Sequence, residues 1–296
     1  MLQQARISFR KPDLQSYKLH NFSAYDMHIH SDFSDGRRPV EEILEIAKRK
    51  GIGISITDHN EIKGCLRAIR LAKTLNPKFN IPIIPGIECT SSEGIHLLFY
   101  FYDEKELEEF YKNSIEKFKN QRNPTTFLSK DAEELIKDSK RYNCIISAAH
   151  PYAILWTGLM KHTHNGLNKK LLPKIHSLEV INGSITKRMN KKAIDFALKS
   201  DMAFTGGSDA HMKYEIGNVV TYVRRKCSAE EFLDDVMKKK NFVVGKQAGI
   251  MKKTASHASK FNGNDYPSPI AYIKRGIKFV RQERKEKKIR RSASDQ

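Results

Sequence analysis

The chemistry-bearing residues of this chain are histidines and carboxylates, and they fall in short clusters. "HIHSDFSDG" carries His28, His30, Asp32 and Asp35; "TDHN" carries Asp58 and His59; "GIE" ends on Glu88, with His96 close behind in "IHLL"; "AAH" ends on His150; and "GGSDAH" carries Asp209 and His211. A neutral imidazole offers one ring nitrogen to a metal and a carboxylate offers oxygen, so such a mixture suits a divalent cation. In a strand, side chains alternate, so His28 and His30 point to the same side. Alone, that pair is equally a chelating edge or two hydrogen-bonded core histidines. "KHTHNG" repeats the spacing at His162 and His164 without a strand before it or a carboxylate beside it, and it reads as a surface loop or lid. Glu88 follows the apolar run "IPIIPGI", where an unpaired carboxylate would be costly; the other reading is a side chain that has reached solvent.

The clusters share a position. "AYDMHIH", "IGISITDHN", "IPIIPGIEC", "IHLLFYFY", "NCIISAAH", "HSLEVING" and "MAFTGGSDAH" read as strands, and all but "HSLEVING" carry a cluster residue. Helical patterns alternate with them: "PVEEILEIAKRKG" with Pro39 in the first turn and Gly51 past the end, "EIKGCLRAIRLAKTL", "EKELEEFYKNSIEKFKNQ", "SKDAEELIKDSKRY" and "KRMNKKAIDFALKS". Residues 151–173 read as loop, and "NVVTYVR", "SAEEFLDDVMKKK" and "NFVVGKQ" add strand, helix and strand. This alternation predicts an α/β fold on a parallel sheet, open or closed into a barrel, whose strands present their carboxyl ends on one face. Gly206 and Gly207 would allow a sharp turn before Asp209.

The bulk composition sets limits. A chain of 296 residues with 39% hydrophobic and 29% charged residues is globular, and it has no apolar run long enough to span a membrane. "MLQQARISFRKPD" lacks an apolar signal core, so the expectation is a cytoplasmic protein. Cys65, Cys89, Cys144 and Cys227 have no short paired spacing, which argues against a disulfide framework and against a thiolate zinc module. The net charge is +19, and residues 274–291 hold ten Lys or Arg against two Glu. That stretch reads as a solvated tail or as an electrostatic arm for nucleic acid. Phe279 is its one aromatic residue, which does not support base stacking there.

Taken in order, "HIHSDFSDG", "TDHN", "GIE" with "IHLL", "AAHP" and "GGSDAH" resemble the PHP family, the polymerase and histidinol phosphatase superfamily of metal-dependent phosphoesterases. The resemblance implies a distorted (β/α)7 TIM-like barrel over residues 25–250, with 212–250 as its completing segment, 1–24 as an extension and 251–296 as a basic tail. It also implies two to three divalent ions, Mn²⁺, Zn²⁺ or Fe²⁺, at the carboxyl ends of the strands. His28, His30, Glu88 and Asp209 would hold one; Glu88, His96 and His150 a second; Asp35, His59 and His211 a third. Asp58 would orient a ligand imidazole, and an acid near His211 would help the leaving group. Arg37, Arg38 and Arg188 are candidate phosphate-binding cations, each equally readable as a surface residue. The sequence departs from many members in running "HLLFYFYD" after His96, and the interval from His96 to His150 is too short for the large inserted domain of some oligonucleotide-degrading relatives.

The expected activity is hydrolysis of a phosphate monoester, of a nucleotide or another small phosphorylated metabolite, by metal-activated water. Asp58, Arg188 and His211 would be its catalytic residues. The alternatives are an exonuclease or oligonucleotide phosphatase using the basic tail, and a nucleic-acid-binding protein with a structural metal cluster. Asp32 has no assigned role.

Overall fold

The computed structural model describes residues 6–74, 76–120, 126–153, 157–163 and 166–246. The basic stretch 274–291 and His164 lie outside them. The described elements are β1 (Ile7–Ser8), α1 (Leu14–Leu19), β2 (Ser23–Ile29), α2 (Val40–Lys50), β3 (Gly53–Ile56), α3 (Lys63–Ala72), β4 (Gly86–Thr90), β5 (His96–Phe101) and α4 (Glu104–Phe110). They continue as α5 (Ala132–Ser139), β6 (Cys144–Ala148), α6 (Leu167–Leu171), β7 (Ser177–Asn182), α7 (Lys187–Lys199), β8 (Ala203–Gly207), β9 (Val219–Val223), α8 (Ala229–Met237) and β10 (Phe242–Gly245).

The chain does not form the expected barrel. It forms two mixed five-stranded sheets, ordered β1-β10-β9-β2-β3 and β4-β5-β6-β7-β8. The reason lies in the connections. A parallel pair needs a long crossover, but only residues 91–95 separate β4 from β5, and they pair antiparallel. The link from β8 to β9, residues 208–218, contains no helix, and β9 runs antiparallel to both β2 and β10. Parallel pairing survives where a helix intervenes, as in β2 with β3 across α2 and β7 with β8 across α7. Isolated bridges join the sheets at Ile29 with Ala210 and at His59 with Glu88, next to the clusters singled out above.

The helices follow their end signals. Gly51 closes α2 in the left-handed conformation, φ 66°, and reciprocal capping boxes start α5 (Asp131 with Glu134) and α8 (Ser228 with Glu231). The long helix expected after β5 is instead α4 followed by a π turn (Tyr111–Ile115) and a 3-10 turn (Glu116–Phe118). The wider π turn brings Phe110 and Ile115, five residues apart and both fully buried, to the same core-facing side. The segment before Tyr25, expected as an extension, contributes β1, which pairs with β10, and Tyr17, whose ring stacks on Tyr222 at 4.5 Å. In the core, Phe99, Phe101, Phe110, Phe204 and Phe232 are almost fully buried, each contributing about 1.5–3 kcal/mol of hydrophobic stabilisation.

Candidate metal centre

Local rules carry the side chains to one place. His28 and His30 lie on one side of the end of β2, and Glu88 sits in the middle of β4, next to the bridge with His59. His96 opens β5 and His150 follows β6, two strands that pair antiparallel, so the start of one lies beside the end of the other. Asp209 and His211 follow β8. His150 and Asp209 hold φ values of 29° and 50°, left-handed conformations that cost on the order of 1–3 kcal/mol each in residues other than glycine.

Gly206 and Gly207 do not make the turn expected of them; they lie within β8 itself. A Cβ on Gly207 would lie 2.4 Å from the Cβ of His28, so the bare backbone is what lets β8 press against β2. That approach brings Asp209 to the histidines.

Glu88, 1% exposed, is the centre of the arrangement. Its Oε2 lies 3.2 Å from His28 Nε2, 3.3 Å from His30 Nε2 and 3.2 Å from His59 Nδ1. Its Oε1 faces the other way, 3.0 Å from His96 Nδ1 and 3.4 Å from His150 Nε2. Asp209 Oδ1 is 3.2 Å from His30 Nε2 and 3.7 Å from His28 Nε2, and these two nitrogens are 3.1 Å apart. Asp35 Oδ2 meets His211 Nε2 at 2.8 Å, whereas Asp35 Oδ1 is 3.9 Å from His59 Nε2. His59 is therefore nearer to Glu88 than to the pair with which the resemblance groups it.

The donor set fits divalent metals. His28 Nδ1 faces a carboxylate oxygen of Glu179 at 3.0 Å and must carry the proton, which leaves the lone pair on Nε2 pointing into the cluster. Four donors at about 2.1 Å from one tetrahedral ion would be roughly 3.4 Å apart. The atoms His28 Nε2, His30 Nε2, Glu88 Oε2 and Asp209 Oδ1 are 3.1–3.7 Å apart across the five contacts above. Among the described residues, four sets of three donors lie close enough to share an ion: His28, His30 and Asp209; His30, Asp35 and His211; His30, His59 and Glu88; and Glu88, His96 and His150.

Charge is divided unevenly within the cluster. Burial raises the Glu88 carboxyl, but the imidazoles of His28, His59 and His96 outweigh it and hold the group well below the carboxylate range. Asp209 is held down in the same way by His28, His30 and His211. Burial depresses His30, yet Asp35, Asp209 and Glu88 push it up to about 10, while burial wins at His59 and takes it down to about 3.

Several expected roles change. Asp58 orients no imidazole: it accepts the backbone N–H of Ser31 at 2.7 Å and the hydroxyls of Ser31 and Ser34 at 2.6 and 2.5 Å, and so fixes the turn that delivers Asp35. His162 is not a surface residue but buried, 1% exposed. Arg38 is half-buried and paired with Glu42 at 3.2 Å, while Arg37 and Arg188 are exposed. Cys65 and Cys89 are buried, Cys144 and Cys227 half-buried, and all four are free thiols.

Glu179 was missed. It is buried in β7, takes the N–H of His150 at 2.8 Å and the amide of Asn182 at 2.9 Å on Oε2, and binds His28 on Oε1. A carboxylate inside the apolar strand "SLEVIN" is the same signal that marked Glu88, and it could have been read.

A PHP domain family model matches residues 26–247, which span every one of these side chains. The chain belongs to the PHP domain family. A curated relative, an uncharacterised protein of Methanocaldococcus jannaschii, is 25% identical over 270 residues, 86% of this chain and 97% of the relative. Among solved structures, a two-domain protein of Bacteroides vulgatus containing a predicted PHP-like metal-dependent phosphoesterase shares 19% identity over 86% of this chain and 73% of its own, with a TM-score of 0.56. The lesion-specific endonuclease Q of Pyrococcus furiosus shares 20% identity over 75% of this chain and 57% of its own, with a TM-score of 0.59. This PHP chain has no helix among its described residues long and apolar enough to cross a membrane.

Proposed function

We propose that this PHP protein hydrolyses a phosphate monoester, that of a nucleotide or another small phosphorylated metabolite, at two to three divalent ions. The observation that carries the reading is Glu88, whose two oxygens face two separate groups of imidazoles, the placement required of a bridging carboxylate. In this reading His28, His30, Glu88 and Asp209 hold one ion and Glu88, His96 and His150 a second. Asp35 and His211 hold the third, with His59 turned between it and Glu88. Nitrogen and oxygen donors without a thiolate suit Mn²⁺, Zn²⁺ or Fe²⁺. Such ions, when bound, supply an activated water and neutralise charge on the phosphoryl oxygens.

The chain's own groups do the rest. Glu179 and Asp58 hold His28 and the Asp35 turn in place. Arg37, exposed two residues past Asp35, and Arg188, exposed in the first turn of α7, are the candidates to bind phosphate oxygens.

One observation favours a second reading, a nuclease or oligonucleotide phosphatase. β10 runs parallel to β1 and antiparallel to β9, and β9 antiparallel to β2, so β10 ends on the same side as His28 and His30. Lys246 donates its N–H to Asn218 O at 3.0 Å, in the loop that follows His211. The last described residue, Lys246, thus lies on the face that holds the cluster, and the basic stretch 274–291 comes later in the sequence.

The test is a panel with the full chain supplied with Mn²⁺, Zn²⁺ or Fe²⁺, comparing phosphomonoesters with short RNA and DNA. Loss of at least about a hundredfold in turnover is expected for His28→Ala and for Asp209→Ala, together with loss of bound metal. Unchanged metal content and turnover in both variants would overturn the reading. Activity confined to oligonucleotides would select the second.

A further inference from the structure

Three large apolar side chains are exposed among the described residues: Leu19 at 81%, Phe33 at 37% and Tyr214 at 39%. Leu19 ends α1, just before β2 begins, at the end of the molecule away from the cluster. The other two belong to the loops that carry the candidate ligands. Phe33 lies between His30 and Asp35, and Tyr214 lies three residues past His211. These loops are tied together by the N–H of Arg37, which donates to His211 O at 3.0 Å.

The Phe33 turn is rigid. The N–H groups of Ser34 and Gly36 both donate to Ser31 O, at 3.1 and 3.0 Å, and the N–H of Phe33 donates to Ser31 Oγ at 3.2 Å. Asp58 then clamps the hydroxyls of Ser31 and Ser34 from below. A Cβ on Gly36 would lie 2.2 Å from His30 O, so the turn is closed as tightly as its backbone allows. A phenyl ring half in water on so fixed a turn contributes little to the core. It is a preorganised flat surface. Exposed cations lie on both loops, Arg37 four residues past Phe33 and Lys213 next to Tyr214. Aromatic faces interleaved with cations beside a phosphate-chemistry site match a base joined to a phosphate: the π-face stacks and the charge binds oxygen.

We propose that Phe33, with Tyr214 on the neighbouring loop, is a stacking platform for a nucleobase. The substrate is then a nucleotide or the phosphorylated end of a nucleic acid rather than a sugar phosphate. This inference rests on the phosphoesterase reading above and narrows its substrate class.

The experiment uses the full-length, metal-loaded protein, with adenosine 5′-monophosphate, a 5′-phosphorylated dinucleotide and ribose 5-phosphate. The wild type should prefer the base-bearing substrates. Phe33→Ala should cut the kcat/KM preference for nucleotide over ribose 5-phosphate about tenfold, mostly through KM, while Phe33→Tyr retains it. In Phe33→Trp, adenosine 5′-monophosphate should quench a fluorescence component absent from the wild type, whose single tryptophan is Trp156, and ribose 5-phosphate should not. A preference unchanged by Phe33→Ala overturns the platform and leaves the phosphoesterase standing. Absence of turnover on every substrate removes the phosphoesterase reading, and the tryptophan quench then still decides for or against the platform. Which of the two base-bearing substrates is turned over faster separates a free nucleotide from a nucleic-acid end.

Discussion

Replacing Glu179 by Gln alters one atom type in a side chain that is 1% exposed, and the structure fixes what that must do. Oε1 accepts from His28 Nδ1 at 3.0 Å; Oε2 accepts from the N–H of His150 at 2.8 Å and from the Asn182 amide at 2.9 Å. Every partner is a donor, so a carboxylate satisfies all of them. Glutamine has one oxygen and one NH₂ group. If its oxygen faces His28, its NH₂ opposes the N–H of His150; if reversed, it opposes the imidazole. Either way a buried donor is stranded, at a cost of about 1–3 kcal/mol. For a domain of this size that corresponds to a fall in Tm of about 2–4 °C per kcal/mol. In the reversed orientation the imidazole also loses the partner that fixes its tautomer, and ligand-orienting partners of this kind are worth roughly 10- to 100-fold in metal affinity. The assay is competitive titration of metal against a chromophoric chelator, paired with thermal melting of the metal-free and loaded protein. A Gln variant with wild-type affinity and an unshifted Tm would show that His28 is not held by Glu179, and the tautomer argument would fail with it.

Two further outcomes follow from the geometry. Gly207→Ala places a methyl 2.4 Å from the Cβ of His28 and 2.7 Å from its backbone nitrogen, so β8 and β2 must separate; a loss of about 1–3 kcal/mol in denaturant unfolding is expected, with weakened metal binding, and a variant as stable as wild type would contradict the close approach. His176, remote from the cluster, accepts the N–H of Ile146 on Nδ1 at 2.9 Å, and burial lowers its pKa. A lowered histidine pKa means the unfolded chain takes up a proton that the folded one resists, so its contribution is present above about pH 6.5 and is lost as pH falls below it. His176→Asn should therefore be less stable at pH 7 and show a shallower loss of stability between pH 7 and pH 5 than wild type; parallel curves would refute the assignment.

Much of the site was legible in the sequence because it depends on residue type and on position within an element. Period-two alternation puts His28 and His30 on one side, and the apolar run before His150 announces a strand end whatever the strand later pairs with, whereas Glu88 sits in the middle of β4 rather than at its end. Those signals are local. Direction of pairing is not local in the same way, although the brevity of residues 91–95 between two strands was a readable sign of reversal. The expectation of a parallel sheet passed over it, and the barrel was what the family resemblance implied. The composition also drew attention to charge in residues 274–291, where aromatics are scarce, while Phe33 and Tyr214 stood beside the candidate ligands.

The sequence by itself determined which donors exist, in what order, and that most fall at the ends of strands. Only the tertiary structure decided how they are shared: that Glu88 divides its oxygens between two groups, that His59 leans toward Glu88 rather than Asp35, that Asp58 holds a serine turn, and that Glu179 reaches His28 from 151 residues away. Sharing depends on distances of about 3 Å between atoms on different strands, and those distances are set by register and by the close passage of β8 over β2 at Gly207. Residue spacing along a chain carries no record of either.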